Sequence, residues 1–198
     1  KKYFNTNYHY IVPELTAGQR FAIAYEQLFD EVEQAKSLGH QPKPILLGPL
    51  SFLYLAKCED EPFDKLSLLP QLLEAYRAIL ARFASQGVIW VQFDEPILAL
   101  ELAKEWQSAF DPTYRALSGQ GVKLLLASYY GSVAHHHDVL SDLAIDGLHL
   151  DLVSDAEQLS LFATSLKPAQ VLSLGVINGR NGCAADVDLL ADRVRGVV

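Results

Sequence analysis

Methionine is absent from the 198 residues and cysteine occurs only twice. Cys58 and Cys183 stand far apart and neither belongs to a C-x-x-C pair, which removes the thiol redox motif and the zinc ribbon. Both read as reduced structural residues, in keeping with a cytoplasmic setting. With no Met at its start, the sequence reads as a trimmed chain. No apolar run approaches the roughly 20 residues that cross a bilayer. Lys1-Lys2-Tyr3-Phe4-Asn5 has none of the apolar core of a signal peptide, so no membrane is expected. Basic residues are also scarce: Lys and Arg total 16 against 24 Asp and Glu, for a formal charge of -8. No stretch gathers them with interleaved aromatics, so nucleic acid is not expected as a partner. The glycines follow neither G-x-G-x-x-G nor G-x-x-x-x-G-K-[ST], and nothing supports a dinucleotide or P-loop site.

What is present is the profile of a globular domain, 50% hydrophobic and 20% charged. A complete chain of this size hides roughly 70% of its unfolded surface. Pro44-Ile45-Leu46-Leu47-Gly48-Pro49 is a short apolar run closed by a Gly-Pro breaker, as expected for an inner strand. Over 67–86 apolar residues recur at Leu69, Leu72, Leu73, Tyr76, Ile79, Leu80 and Phe83, one face of a helix, and Gly87 follows as its stop. The strand Val88-Ile89-Trp90-Val91-Gln92-Phe93 then runs into Asp94-Glu95-Pro96. The unit repeats: a helix over 104–117 precedes a strand over 122–127, and a helix over 133–143 precedes a strand over 147–153. Ser154-Asp155-Ala156-Glu157 fits a capping box opening a helix to about Leu166. A strand over 171–177 ends in Asn178-Gly179-Arg180-Asn181, and 186–197 reads as a last helix. Before this run, 8–14 is extended in character and 21–38 helical, with Gly39 as the stop, so that 1–40 precedes the first barrel-like strand.

About five strands, each followed by a helix, argue for a parallel α/β sheet. Pattern alone leaves a doubly wound sheet and a barrel open. A barrel is preferred because Asp94, Glu95, Tyr129, Asp151, Asn178 and Arg180 gather at strand exits, where a barrel carries its working loops.

Asp94 and Glu95 could grip an ammonium or a pterin-like ring nitrogen, or Glu95 could pair with a nearby cation and shape the loop. His135, His136 and His137 cannot converge on one ion from a helix, where neighbouring side chains diverge by about 100°; an exposed helix start is the plainer account. His149 and Asp151 lie two apart in a strand and share a face, as a ligand pair or as a polar contact in the barrel interior. Asn178 and Arg180 suit a carboxylate or phosphate, or a structural pairing of Arg180 with Asp94 or Asp151. Ser128-Tyr129-Tyr130 has no His and Asp in triad spacing, and no His, Cys and Glu set speaks for zinc.

Several motifs, taken in order, carry a resemblance. They are the stretch from Lys2-Tyr3-Phe4-Asn5-Thr6-Asn7-Tyr8 to Pro13-Glu14, Leu47-Gly48-Pro49, Trp90-Val91-Gln92-Phe93-Asp94-Glu95-Pro96, Gly147-Leu148-His149-Leu150-Asp151 and Gly175-Val176-Ile177-Asn178-Gly179-Arg180-Asn181. Together they resemble the amino-terminal half of the cobalamin-independent methionine synthase family. The resemblance implies a two-barrel methyltransferase that moves a methyl group from 5-methyltetrahydropteroyl-polyglutamate to homocysteine to make methionine. It implies that zinc and the homocysteine pocket belong to the carboxy-terminal barrel, outside this sequence. The chain would then be the central part of the amino-terminal barrel, an incomplete (β/α)8 TIM-barrel type lacking its first two strands and its last. No cofactor and no catalytic residue are expected within it. Lys2 matches the lysine that contacts the polyglutamate tail, and Asp94 matches the duplicate of a homocysteine-binding aspartate. Asp94, Glu95, His149, Asp151, Asn178 and Arg180 would then form a vestigial or structural pocket. One departure is local: Gly182-Cys183 replace the aliphatic residue and Trp that usually follow Asn-Gly-Arg-Asn.

The expected role is therefore a non-catalytic supporting and tail-binding domain whose partners are the folate tail and the carboxy-terminal barrel. Exposed sheet edges would favour self-association of the fragment. The alternatives are a stand-alone pterin or anion binding module, and a small barrel enzyme using Asp94 and Glu95 as acid and base.

Overall fold

The computed structural model describes residues 2–4, 6–59, 61–180, 182 and 184–195. The sequence calls on Asn181 and Cys183 lie outside the described residues.

Five strands form one parallel sheet: β2 (Ile45–Leu47), β4 (Trp90–Asp94), β5 (Lys123–Ala127), β6 (Gly147–Asp151) and β7 (Val171–Gly175). Their spatial order follows their chain order. Each crossover therefore steps in the same direction, which keeps the connecting helices on one face; a doubly wound sheet reverses direction and covers both. Consistent with this, α2 (Pro49–Leu55) packs on α3 (Leu69–Ser85), α3 on α4 (Lys104–Leu117), α4 on α5 (His137–Asp142) and α5 on α6 (Gln158–Ala163). The result is an open segment of β/α-barrel wall. The first forty residues add a short strand β1 (Glu14–Leu15), parallel to β3 (Lys57–Cys58), and helix α1 (Gln27–Ser37). The last helix is α7 (Val187–Arg195).

Alternation along the strands separates two environments. Val91 and Phe93, Leu124 and Leu126, and Leu148 and Leu150 point to the helices and are buried. They meet Leu72, Leu73, Tyr76, Leu80 and Phe83 of α3 and Phe110, Tyr114 and Leu117 of α4 in a single core. Trp90, Gln92, Asp94, His149 and Asp151 point to the uncovered face and stay half-buried. Gly147 is needed on that face, where a β-carbon would meet Leu125 Cδ1 at 3.0 Å and Trp90 Cζ3 at 3.3 Å.

Three local expectations are corrected. Gly48-Pro49 does not simply end a strand: Pro49 opens α2, where its fixed φ and missing N–H are harmless. The Ser154 capping box does not form, because the Ser154 hydroxyl donates to Asp151 at 2.6 Å and the helix begins at Gln158. The helix foreseen over 21–38 begins only at Gln27.

Candidate functional site

The carboxyl ends of the strands carry most of the polar residues singled out above. Asp94 and Glu95 are consecutive at the end of β4 and turn opposite ways. Asp94 lies on the uncovered face; its Oδ1 accepts from Gln92 Nε2 at 2.7 Å and its Oδ2 from the Tyr129 hydroxyl at 3.1 Å. Because Tyr129 has one hydroxyl proton and gives it to Asp94, Tyr3 is the donor in the Tyr3–Tyr129 hydroxyl pair at 3.2 Å. Burial, together with the nearby carboxylate, raises both phenols.

Glu95 is fully buried on the helix side. It accepts from the Ser51 amide at 2.7 Å, the Leu50 amide at 3.2 Å and the Tyr114 hydroxyl at 3.0 Å. Gly48, at the N-cap of α2, has no side chain to satisfy those amides, and Glu95 supplies the missing acceptor. Burial pushes its carboxyl up to about 7, against the opposing pull of the bonds from Ser51, Leu50 and Tyr114. Among the described residues no Arg or Lys pairs with it, and a remote helix cap takes the place of the ion-pair alternative. Glu95 is thus turned away from Asp94, and the acid and base arrangement of two adjacent carboxylates is not assembled.

Asp151 is equally committed. Its oxygens accept from the Tyr130 amide at 3.0 Å, the Val153 amide at 3.1 Å, and the Ser154 amide and hydroxyl at 3.0 and 2.6 Å. Partial burial raises its pKa, but these bonds together outweigh burial and leave the carboxyl below its ordinary range. Tyr130, which donates one of them, has φ 72°, the left-handed region that a bulky residue rarely occupies. Its ring lies 4.7 Å from that of Tyr129, and the Arg180 guanidinium sits 5.3 Å over its face.

His149 pairs through Nδ1 with Ser173 Oγ at 2.8 Å, and burial lowers its pKa, which keeps the ring neutral. The ring lies over Gly175, where a β-carbon would stand 2.9 Å from Nε2. Asn178 closes a turn by accepting from the Arg180 amide at 3.0 Å. A cleft of about 190 Å³ brings together Tyr129, Tyr130, His149, Asp151, Asn178 and Arg180. Asp94 joins this group through Tyr129. Lys2 lies apart from the cleft, exposed on a hairpin in which it bridges His9.

Tyr3, Tyr10 and Gln92 were not singled out as site residues by sequence. Gln92 had a signal, standing two residues before Asp94 in one strand. Tyr3 and Tyr10 come from a distant segment and had none.

The three consecutive histidines do not gather. His135 and His136 both donate from Nε2 to the Leu100 carbonyl, at 3.1 and 2.9 Å, and His137 pairs with Ser165 Oγ at 3.0 Å. His136 is buried, unlike the exposed helix start expected, because that carbonyl draws it inward. Among the described residues no three His, Cys, Asp or Glu are placed to hold a metal ion, and no helix is long and apolar enough to cross a membrane. The donor set at the strand exits, one neutral imidazole and carboxylates already engaged by internal donors, does not fit zinc.

A family model described as the N-terminal domain of cobalamin-independent synthase matches residues 1–197. A 5-methyltetrahydropteroyltriglutamate–homocysteine methyltransferase of Shewanella oneidensis is 62% identical over 196 residues, which is 99% of this chain and 26% of that protein. The protein of the same name from Serratia proteamaculans is 50% identical over 197 residues, again 26% of its length. The chain thus spans about a quarter of the curated relatives it matches. Two solved structures share the fold. A putative vitamin-B12 independent methionine synthase from Listeria monocytogenes aligns with TM-score 0.72 and 18% identity, over 93% of this chain and 62% of that one. A B12-independent methionine synthase from a Shewanella species, solved with selenomethionine, aligns with TM-score 0.72 and 16% identity, over 94% and 59%.

Proposed function

Because the chain belongs to the family of cobalamin-independent synthase N-terminal domains, we propose that it is the central part of a supporting barrel in a cytoplasmic methyltransferase. The whole protein would carry a methyl group from 5-methyltetrahydropteroyltriglutamate to homocysteine, the reaction in its relatives' names. The observation that supports a non-catalytic role here is the state of the strand-exit carboxylates. Glu95 is fully buried against the α2 amides, turned away from the strand exits, and Asp151 is held by four donors in the loops, so neither is presented to a substrate as an acid or a base. Chemistry then falls to the carboxy-terminal barrel, where the family resemblance puts the zinc that activates the thiol.

The contribution of this chain is to hold the anionic folate tail. Lys2 is exposed on its hairpin, without an acidic partner among the described residues, and suits a glutamate carboxylate. Asn178 and Arg180 line the same cleft as Tyr129 and Tyr130 and offer a second polar surface. In the full-length enzyme, Lys2→Ala is expected to weaken a triglutamate substrate by about 1 to 3 kcal/mol and a monoglutamate one by less, since the lost contact is remote from the methyl group. Equal weakening of both would remove Lys2 from the tail.

A further inference from the structure

We propose that Tyr3, Tyr129 and Asp94 form a positioning relay that fixes Lys2 at the barrel mouth, so that Tyr129 and Asp94 set the preference for a long glutamate tail without touching it. This rests on the reading of Lys2 given above.

The hairpin that carries Lys2 is closed on itself. Lys2 bridges His9, the Tyr3 amide donates to the Tyr8 carbonyl at 2.8 Å, and the Thr6 hydroxyl donates to the Tyr3 carbonyl at 2.6 Å. Phe4 is its contact with the core, while Tyr8 and Ile11 are 65% and 96% exposed. A flexible ammonium on such a segment grips a tail well only if the backbone beneath it is already fixed, because ordering it on binding subtracts from affinity. Tyr3 makes that attachment. Its ring meets those of Tyr10 and Tyr130 at 5.4 and 6.3 Å, and its hydroxyl donates to Tyr129, which donates to Asp94.

The relay is directional. Lys43 donates to Gln92, Gln92 to Asp94 at 2.7 Å, and the two phenols run to Asp94 from the other side. Asp94 is the one acceptor on which both arms end, and bonds to a charged acceptor are the stronger kind. Because β4 is paired on both sides within the sheet, Asp94 is a rigid anchor for the hairpin. Phe4, next to Tyr3, has φ 50° and packs 4.9 Å from Tyr3 and 6.2 Å from Tyr130, a conformation held only where neighbours impose it. Phe4 also packs against the core, whereas the Tyr3, Tyr129 and Asp94 side chains that carry the hydroxyl bonds lie outside it.

The test uses the full-length enzyme with triglutamate and monoglutamate substrates, and reads the ratio of their kcat/KM values. Tyr129→Phe and Tyr3→Phe each remove one hydroxyl and keep the ring. Each is expected to lower the ratio about threefold to tenfold, the worth of one hydrogen bond, through KM for the triglutamate, and to speed exchange of the Tyr3 amide proton. Lys2→Ala is the reference, and in its background Tyr129→Phe is expected to change the ratio no further. If Lys2→Ala lowers the ratio and both phenylalanine variants leave it unchanged, the relay is overturned and the role of Lys2 stands. If Lys2→Ala itself leaves the ratio unchanged, both fall. Equal loss for the two substrates would mark the relay as purely structural and overturn it.

Discussion

Gly48 and Glu95 share one space: a β-carbon on Gly48 would run into the Glu95 carboxyl group, which reaches past Gly48 to the first amides of α2. The absence of a side chain at the N-cap and the presence of an acid at the end of β4 are two halves of one device. It ties the loop after β2 to the loop after β4, and so fixes the floor of the strand exits.

Gly48→Ala is therefore expected to destabilise the protein by about 1 to 3 kcal/mol, the usual cost of forcing atoms into a packed interior. Thermal melting of the full-length protein checks the size. The cost should shrink in a Glu95→Ala background, where the carboxyl no longer fills the space; a Gly48→Ala penalty of the same size in both backgrounds would separate the two residues.

Glu95 also predicts a pH dependence. Its carboxyl titrates at about 7 in the folded chain and at its ordinary 4.5 when exposed, with burial as the main cause. Between those values the folded state keeps a proton that the unfolded state has lost, so stability falls as pH rises through that window and levels off above it. The total is on the order of 3 kcal/mol at 1.36 kcal/mol per pH unit. The phenols around it, Tyr114 and Tyr76, do not reverse the sign: burial, with Glu95 beside them, raises both, and they remain neutral throughout. Glu95→Gln is expected to flatten the decline in melting temperature between pH 5 and 8. A decline of unchanged slope in the variant would assign it elsewhere.

Asp151 and Tyr130 are coupled across two loops. The Tyr130 amide donates to Asp151 while its backbone sits at φ 72°, so the bond compensates the left-handed conformation. Asp151→Ala should cost about 1 to 3 kcal/mol through the donors it strands. Tyr130→Gly accepts that φ without strain, and should cost less in the Asp151→Ala background than in the wild type. A double-mutant cycle of melting curves measures the difference, and additive costs would mean that the two loops are independent.

How far the sequence is legible depends on whether a residue's partner is near it in the chain. The strands β2, β4, β5, β6 and β7 could be found because each is an apolar run bounded by breakers, and α3 because its buried residues recur at helical spacing, whereas the short β3 was not read. The start of α2 could not, since its cap is Glu95, far along the chain. Ser154 has the spacing of a cap but is claimed by Asp151 first, a competition settled by the turn at the end of β6. His149 and Asp151 do share a face as the two-residue spacing requires, yet only the fold reveals that Asp151 is saturated and that His149 rests on Gly175. The tyrosine relay joins residues 126 positions apart and left no trace in local pattern.

The sheet itself carries the last prediction. Within it β2 and β7 are the outer strands, each paired on one side. Ile45 on β2 and Val171 on β7 point to the uncovered face and are 53% and 48% exposed. Unpaired N–H and C=O groups beside apolar side chains seek further strands, which a closed barrel would provide. A chain of residues 1–198 prepared alone is therefore expected to self-associate at micromolar concentration, or to melt well below the same segment within the whole protein. Adding charge at both edges, with Ile45→Lys and Val171→Lys, should shift the fragment toward monomer by making strand addition at either edge place like charges side by side. Sedimentation over a concentration series, with melting on the same samples, decides. A dilute monomer that melts as high as the whole protein would show that the five strands are sufficient by themselves and need no closure.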